Sequence, residues 1–226
     1  MSSYFTNSPV IQAVFEREGE LVTYEKGQHV VWHKDESSWV YHLVSGHVRV
    51  CFNLSDDVSR MIGFFAPGSV FAQNGSFFQR DNGGLSYTAE TEAVTRRISR
   101  QRFFELVESS PEFAREYLGI ILRNQLFLID RIVYQGEKGL YAKFLRWLSF
   151  MARYYGTNAG TSVFIDIPIS QETIADFLHA TRESVNVTMR RLVREGVISV
   201  SHKRISILDT NDLERRITEE AARSQE

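Results

Sequence analysis

The sequence predicts an α+β protein with an antiparallel β domain, a long helix, and a pair of short helices followed by a β-hairpin. Three observations support this prediction. Residues 18–99 consist of short runs rich in β-branched and aromatic side chains, separated by turn residues. Residues 111–136 change to the apolar spacing of a helix, and residues 170–208 combine two short amphipathic segments with two alternating runs. The expected boundaries are therefore 1–108, 109–136 and 137–226.

The β domain is predicted from its turns. Glycines at Lys26-Gly27, Ser45-Gly46 and Pro67-Gly68 each separate two short runs of strand-forming residues. Runs of this length at regular spacing are typical of a sandwich or barrel of antiparallel strands. The stretch QRDNGGLS, residues 79–86, is expected to be an exposed loop within this domain.

Composition limits the classes of function. The chain has 226 residues, 43% of them hydrophobic, which is enough for one large domain or two modest ones. A formal net charge of −2 argues against indiscriminate coating of nucleic acid, so any such binding must come from a local patch. The single cysteine, Cys51, excludes an internal disulfide, a four-cysteine iron–sulfur cluster and a zinc ribbon. We expect Cys51 to be a core cysteine rather than a redox switch.

We expect a cytoplasmic protein with no membrane segment and no enzymatic activity. The start of the chain has no basic region followed by a long apolar run. The most apolar stretch, residues 117–133, contains Arg123, Asn124, Asp130 and Arg131, which would be costly at a bilayer centre. The sequence also lacks a nucleophile–base pairing, metal-ligand spacing or phosphate loop at diagnostic spacing.

The long helix is predicted to begin with Ser110 as N-cap and Pro111 in the first turn. It carries two apolar stripes, so it must be covered on two sides. The β domain can cover one side, and a second copy of the helix is the simplest cover for the other; a core helix inside a monomer is the alternative. One stripe consists of Phe113, Tyr117, Ile120, Phe127 and Tyr134, and the other of Leu118, Ile121, Leu128 and Ile132. The expected dimer contacts are Phe113, Tyr117, Ile120, Ile121, Asn124, Phe127, Leu128 and Arg131.

The stretch SQETIADFLHATRESVNVTMRRL, residues 170–192, predicts a helix-turn-helix. Ser170 and Thr181 are expected to cap the two helices, and the break at His179-Ala180 is too short for an independent loop. Two helices joined in this way can place the second one in the major groove of DNA. The expected buried residues are Ile174, Phe177 and Leu178 in the first helix, and Val185, Met189 and Leu192 in the second.

The second helix is expected to leave a polar edge uncovered. With about 100° per residue and Val185 at the centre of the buried face, the side chains of Glu183, Val187 and Arg190 point outward. Arginine can bind guanine, glutamate can accept from cytosine, and valine can touch the thymine methyl. An ordinary amphipathic pair with a solvated charged face is the alternative. The expected base-reading residues are Arg182, Glu183, Asn186, Val187 and Arg190.

Local charge and the following hairpin favour the DNA interpretation. Residues 181–204 hold six basic and two acidic side chains, so this segment is locally +4 in an acidic protein. Such charge is suited to DNA phosphates. The last two runs, GVISVSHKRISILD, are expected to form a hairpin around His202-Lys203. The expected phosphate contacts are Ser170, Thr181, Arg191, Arg194, Lys203 and Arg204.

These residues resemble a known family. The stretch ISQETIADFLHATRESVNVTMRRLVREGVIS is similar to the winged helix-turn-helix motif of the bacterial Crp/Fnr transcription regulators. The spaced glycines Gly27, Gly46 and Gly68 resemble those of the family's sensor domain, and the helix at 111–136 resembles its dimerisation helix. The resemblance implies an N-terminal antiparallel β-roll (jelly-roll) sensor domain that responds to an effector. It also implies a homodimer that binds partly palindromic double-stranded DNA and contacts RNA polymerase.

Two departures from the family pattern change what the resemblance implies. Arg182 and Glu183 match the pair that reads G·C base pairs in the cyclic AMP receptor branch, but a third reader, an arginine, falls at Val187. We therefore expect an A·T pair at that position. In the cyclic-nucleotide cassette, Gln73 replaces the ribose-binding glutamate, and Gly83 or Gly84 replaces the phosphate-binding arginine. A buried cyclic phosphate would then lack a charge partner, so we expect an effector other than cyclic AMP.

The identity of the effector stays open. One cysteine is too few for an Fnr-type iron–sulfur cluster, whereas haem remains an alternative because the β domain contains four histidines. The four are His29, His33, His42 and His47. Several of them alternate with apolar residues and are expected to face solvent. The aromatic residues of the β domain could line an apolar effector pocket or form the core of a plain barrel, and both interpretations stay open. The expected pocket residues are Phe64, Phe71, Gln73, Asn74, Phe77, Tyr87 and Leu122.

The alternative function for the whole protein is a ligand-binding module that acts through protein contacts, without binding DNA.

Overall fold

The structure, a computed structural model, describes residues 8–36, 38–56, 58–72 and 84–223. The described residues form two compact units, 8–123 and 124–223. The boundary falls inside the long helix, so the segment expected at 109–136 contributes to both units. None of the helices described here has the length and apolar character needed to cross a lipid bilayer.

Among the described residues, the first unit contains eight strands and two short helices, followed by the start of the long helix α3. In chain order these are α1 (Pro9–Glu18), β1 (Glu20–Tyr24), β2 (His29–Val31), β3 (Trp39–Ser45), β4 (Val48–Asn53), β5 (Ser59–Phe65), β6 (Val70–Phe71), β7 (Leu85–Ala89), β8 (Ala93–Ser99), α2 (Arg100–Ser109) and α3 (Pro111–Gln135). The strands form two four-stranded sheets in the orders β1-β8-β3-β6 and β2-β7-β4-β5. Each strand pair is antiparallel, which confirms the predicted class of β domain.

Aromatic side chains fill the space between these sheets. The ring of Phe71 lies 5.2 Å from that of Tyr41, 5.3 Å from that of Phe65 and 5.3 Å from that of Tyr87. The turn between β3 and β4 depends on glycine, because Gly46 has a φ of 80°. A Cβ there would also lie 2.1 Å from the carbonyl oxygen of Glu92.

A second core joins α1, α2 and the first part of α3 to the β domain. Phe103 of α2 makes edge-to-face contacts with Phe113 and Tyr117 of α3, at centroid distances of 5.6 and 4.9 Å. Ile120 belongs to the same core. The Oγ of Ser110 accepts a hydrogen bond from the backbone N–H of Phe113, so the predicted cap of α3 is confirmed.

The second unit contains the rest of α3 and the helix-turn-helix. It continues with α4 (Leu140–Tyr155), β9 (Gly156–Ala159), β10 (Ser162–Ile165), α5 (Gln171–Leu178), α6 (Arg182–Arg194), β11 (Ile198–Ser201), β12 (Arg204–Ile207) and α7 (Thr210–Arg223). Its four strands form an antiparallel sheet in the order β11-β12-β10-β9. Helix α7 was not among the elements predicted from the sequence.

The last turns of α3 pack against α4. Phe127 lies 4.9 Å from both Phe150 and Tyr154, ring centre to ring centre. Asp130 accepts hydrogen bonds from Arg153 at 2.7 Å and from the Tyr154 hydroxyl at 2.6 Å. This apolar stripe of α3 is therefore covered by its own chain.

The expected dimer residues need a correction. Phe113, Ile120 and Phe127 are all at least 92% buried within their own chain, so they have almost no surface for a partner. Tyr117 also packs inside the first unit. The exposed face of α3 is the opposite one, and Leu128 is the one expected contact that is exposed, at 45%. The exposed apolar residues of α3 are Leu118 and Leu122 in the first unit, and Leu126, Leu128, Ile129, Ile132 and Val133 in the second.

The remaining expected dimer residues occupy intermediate positions. Ile121 and Asn124 are half-buried. Arg131 donates a hydrogen bond to the Tyr134 hydroxyl at 2.9 Å and lies 5.3 Å from the ring centre of Phe177. Arg131 is thus engaged with its own chain, and its role in a dimer stays a prediction.

Candidate nucleic-acid interface

The two helices α5 and α6 are capped as their sequence predicts. The Oγ of Ser170 accepts from the N–H of Thr173 at 3.0 Å, and the Oγ1 of Thr181 accepts from the N–H of Ser184 at 3.2 Å. Between the helices, His179 adopts a left-handed conformation with φ 51° and ψ 50°. One residue in this conformation reverses the chain, so only three residues separate the end of α5 from the start of α6.

The buried faces of both helices agree with the apolar spacing. Phe177 of α5 is fully buried and lies 6.0 Å from Trp147 of α4, ring centre to ring centre. Gln135, at the end of α3, donates a side-chain hydrogen bond to the backbone carbonyl of Phe177. All six residues expected in this core are buried, namely Ile174, Phe177, Leu178, Val185, Met189 and Leu192. Helix α6 is thereby fixed with its opposite face outward.

The outward edge of α6 is uncovered. Val187 is 70% exposed, which is high for an apolar side chain in a folded domain. Arg182, Glu183 and Arg190 are also exposed. In the part of the chain that the structure describes, none of these three forms an ion pair or a side-chain hydrogen bond. The donors and acceptors predicted to read bases are therefore free to bind another molecule.

Asn186 lies on the flank of this edge and is half-buried. Its side-chain oxygen accepts a hydrogen bond from Gln171, the first residue of α5, at 3.5 Å. This bond is at the long limit of hydrogen bonding, so Asn186 can exchange it for another partner.

The expected phosphate contacts fall into two groups. Arg194 and Lys203 are exposed and make no ion pair with any described residue. Arg191, in contrast, is bound to Glu195 with an Nε–Oε1 distance of 2.7 Å, and Arg204 is bound to Asp166 at 2.9 Å. The positive charge expected from the sequence is therefore partly neutralised inside the chain.

The β11–β12 hairpin forms around His202-Lys203, as predicted. Both residues have positive φ, 49° and 64°, as a two-residue turn of type I′ requires. The carbonyl of Lys203 accepts from the N–H of Ile169 at 2.8 Å, next to the cap of α5. The exposed side chain of Lys203 is thereby presented at the tip of this hairpin.

The effector pocket remains a prediction. Phe71 and Tyr87 are buried and in contact with each other, and burial strongly raises the pKa of the Tyr87 hydroxyl. Phe64 is buried as well, whereas Leu122 is exposed. The other expected residues, Gln73, Asn74 and Phe77, lie outside the described residues, as does Gly83.

Of the four histidines of the β domain, His42 does not face solvent. This residue is 3% exposed, and its ring stacks on Phe15 at 5.4 Å. Burial lowers the pKa of His42 to about 4, since a charged imidazolium would lose its hydration. His29 is exposed, and its Nδ1 lies 3.0 Å from the hydroxyl oxygen of Thr88. Cys51, which was expected in the core, is half-buried.

Two family models match the chain. A cyclic nucleotide-binding domain matches residues 21–110, and a Crp-like helix-turn-helix domain matches residues 142–216. The first match covers the strands β1–β8, and the second covers α4–α6 and the hairpin. The two units described above thus correspond to two known domain types.

Curated relatives align along most of the chain. The transcriptional regulator LdrP of Thermus thermophilus is 30% identical over 80% of this chain and 88% of its own length. The nitrogen fixation regulation protein FixK of Bradyrhizobium diazoefficiens is 27% identical over 86% of this chain and 81% of its own length. A CRP-like cAMP-activated global transcriptional regulator of Mycobacterium tuberculosis is 24% identical over 92% of both chains. All three are named as regulatory proteins.

Solved structures share the fold. FixK2 from Bradyrhizobium japonicum superposes with a TM-score of 0.74 at 20% identity, covering 87% of this chain and 96% of its own. A CooA variant from Carboxydothermus hydrogenoformans gives a TM-score of 0.75 at 17% identity, covering 96% and 100%. With the domain matches and the relatives, these findings show that the chain belongs to the Crp/Fnr family of DNA-binding transcription regulators.

Proposed function

We propose that this protein binds a partly palindromic double-stranded DNA site as a homodimer and reads it with α6 of each subunit. The observation that carries the proposal is the uncovered edge of α6, where Arg182, Glu183 and Arg190 lack partners among the described residues and Val187 is exposed. Major-groove base edges offer the acceptors, donors and methyl groups that suit these side chains.

The base-reading residues divide by chemistry. Arg182 lies in the first turn of α6, where it can donate two hydrogen bonds to a guanine, and Glu183 beside it can accept from a cytosine. Val187 offers only an apolar contact, which favours the methyl group of a thymine. Arg190 reaches a base edge or a phosphate, and Asn186 does so after releasing Gln171.

The phosphate contacts supply affinity rather than sequence preference. Arg194 and the hairpin residue Lys203 are the strongest candidates, because neither is neutralised by a described acid. The hydroxyls of Ser170 and Thr181 lie at helix N-termini, where anions bind favourably. Arg204 joins them if a phosphate replaces Asp166, which is a solvent-exposed and therefore weak partner.

The second copy is proposed to cover the exposed apolar face of α3. Seven large apolar side chains are exposed along this helix. A continuous face of this kind is typical of helices that pair around a two-fold axis. Such pairing gives one α6 for each half of a palindromic site.

The β unit is proposed to bind an effector other than a cyclic nucleotide. Gln73 and Gly83 or Gly84 stand where the family's cyclic-nucleotide cassette has a glutamate and an arginine. We propose further that the DNA-bound protein controls transcription through RNA polymerase in the cytoplasm. Whether a haem or another small molecule occupies the β unit can be read from a native mass spectrum of the purified protein.

Selection of bound duplexes from a random DNA pool tests the proposed function. We expect enrichment of two inverted half-sites about one helical turn apart, each with a G·C pair for Arg182 and an A·T pair facing Val187. No enrichment at modest ionic strength, with or without cell-extract small molecules, would contradict DNA reading.

In a separate calorimetric titration, cyclic AMP is expected to give no heat of binding, and tight binding would refute the proposal on the effector.

A further inference from the structure

We infer that Arg191 is a positioning residue for the recognition helix α6 and not a phosphate contact. With Glu195, Tyr141 and Arg216, it forms a polar cluster that ties the end of α6 to α4 and α7. This inference rests on the proposed reading of DNA by α6, and it adds the C-terminal helix to the parts that determine sequence preference.

Glu195 is the centre of the cluster. It caps the C-terminus of α6, and its carboxylate accepts three hydrogen bonds from three elements. Arg191 of α6 donates from Nε at 2.7 Å, the Tyr141 hydroxyl of α4 donates at 2.7 Å, and Arg216 of α7 donates from Nη1 at 2.8 Å. Partial burial opposes ionisation, but the bonds from Arg191 and Tyr141 hold the pKa of Glu195 below its usual value. The carboxylate therefore stays charged at neutral pH.

Arg191 is held on two sides. Its guanidinium carbon lies 3.8 Å from the ring centre of Tyr141, the distance of a stacked cation–π contact, while its Nε is bound to Glu195. This arrangement uses the planar shape of the guanidinium, which lysine cannot reproduce. A side chain laid on Tyr141 in this way is directed at α4 and away from the uncovered edge of α6.

The third partner is itself fixed. Arg216 donates to Asp212 of α7 at 2.7 Å, so two charges of α7 support the bond to Glu195. The cluster joins residues from three helices that are distant in sequence. It lies at the end of α6 opposite to Arg182: at about 1.5 Å per residue, Arg191 is about 14 Å and Glu195 about 20 Å from Arg182 along the helix.

This position explains why the cluster matters for reading. The apolar contacts of Val185, Met189 and Leu192 hold α6 against the core but are not directional. Bidentate base contacts require a geometry held within about 0.5 Å and 10–20°. Directional hydrogen bonds at the far end of the helix restrict its tilt and rotation, so their loss lets Arg182 depart from the geometry that a bidentate base contact requires.

Replacement by lysine separates the two roles of Arg191. Binding to the selected duplex and to a mismatched duplex is measured over a range of salt concentrations for Arg191→Lys. We expect the ratio of the two affinities to fall about fivefold or more, with an unchanged salt slope, because the charge remains and the planar contacts are lost. The matched control, Arg223→Lys, changes an exposed arginine of α7 that belongs to neither the cluster nor the DNA contacts, and it is expected to keep both the ratio and the slope.

Tyr141→Phe provides a second, milder variant that removes one bond to Glu195 and leaves every formal charge unchanged. It is expected to lower the ratio in the same direction, and the double variant with Arg191→Lys is expected to show less than the sum of the two effects. Wild-type ratios in both single variants, with a salt slope that falls in Arg191→Ala, would overturn the inference. A lowered thermal midpoint with an unchanged ratio would also overturn it. Absence of any preferred duplex for the wild type would instead contradict the proposed function.

Discussion

Two helix surfaces of this protein are left uncovered by the described part of its chain, and they differ in chemistry. On α3 the exposed face carries leucine, isoleucine and valine, whereas on α6 the exposed edge carries arginine and glutamate around one valine. The apolar face gains most from contact with another apolar surface. The polar edge gains most from a partner with fixed donors and acceptors. The difference indicates a second copy of the chain for α3 and a DNA duplex for α6.

The opposite sides of the same helices strengthen the comparison. On α3, the side opposite the exposed face is packed with Phe113, Ile120 and Phe127. On α6, Val185 and Leu192 are buried on the side opposite the polar edge. Each helix has therefore satisfied one side within its chain, and the residues left exposed on the other side are available for a partner.

The largest effect is expected from Ile129→Glu. Taking about 100° per residue, Ile129 falls in the middle of the exposed apolar face of α3, and it is 54% exposed. A dimer would bury one unpaired carboxylate from each subunit, at a cost of several kcal/mol each. We expect dissociation to monomers in sedimentation and a loss of DNA affinity of at least about 100-fold.

Gln125→Glu is the matched comparison, because it adds the same charge on the same exposed face, about 40° from Ile129 around the helix, at a position that is already polar. It is expected to disturb the dimer less than Ile129→Glu does. A stable dimer of Ile129→Glu that binds DNA normally would refute pairing through this face. Phe127→Glu does not test the interface, because Phe127 is buried against Phe150 and its loss would unfold the domain.

A smaller effect is expected from Arg182→Ala. Loss of a bidentate contact with guanine costs about 1–3 kcal/mol of discrimination, or about 5- to 150-fold in the preference for G·C at that position. Arg194→Ala is expected to weaken binding to every duplex about equally. It is also expected to reduce the dependence of log affinity on log salt concentration by about one unit for each half-site, because one phosphate contact is lost there. Competition assays with single-base variants of the selected site measure both. Equal loss of discrimination in the two variants would contradict the division of roles.

The parts of the fold that depend on short-range patterns were predictable from the sequence. The caps at Ser110, Ser170 and Thr181 are formed by side chains that bind a backbone N–H three residues away. The buried faces of α5 and α6 likewise follow from spacings of three and four residues. In these places the local pattern alone determines the structure, so the prediction and the structure agree.

The sequence predicted two apolar faces on α3 but not which one its own chain covers. That choice depends on packing against Phe103 and Phe150, which are distant elements. The burial of His42 depends in the same way on Phe15, in a helix that was not expected. In the cluster around Glu195, Tyr141 binds a residue that is 54 positions away in the sequence. Local sequence patterns therefore could not predict the geometry of this cluster.

The smallest effect is expected at His179, which is exposed but belongs to neither uncovered surface. Its left-handed conformation, with φ 51°, is unfavourable for a residue with a Cβ and free of that penalty for glycine. His179→Gly is therefore expected to stabilise the helix-turn-helix by about 0.5–1 kcal/mol, after the added freedom of the unfolded chain is subtracted. For a chain of this size, that corresponds to a rise of about 1–4 °C in the thermal midpoint. Because His179 serves the turn and not the duplex, the sequence preference in competition assays should stay the same. A changed preference would show that the surface which reads DNA extends beyond α6 into the turn. The polar uncovered surface would then have to be redefined to include His179.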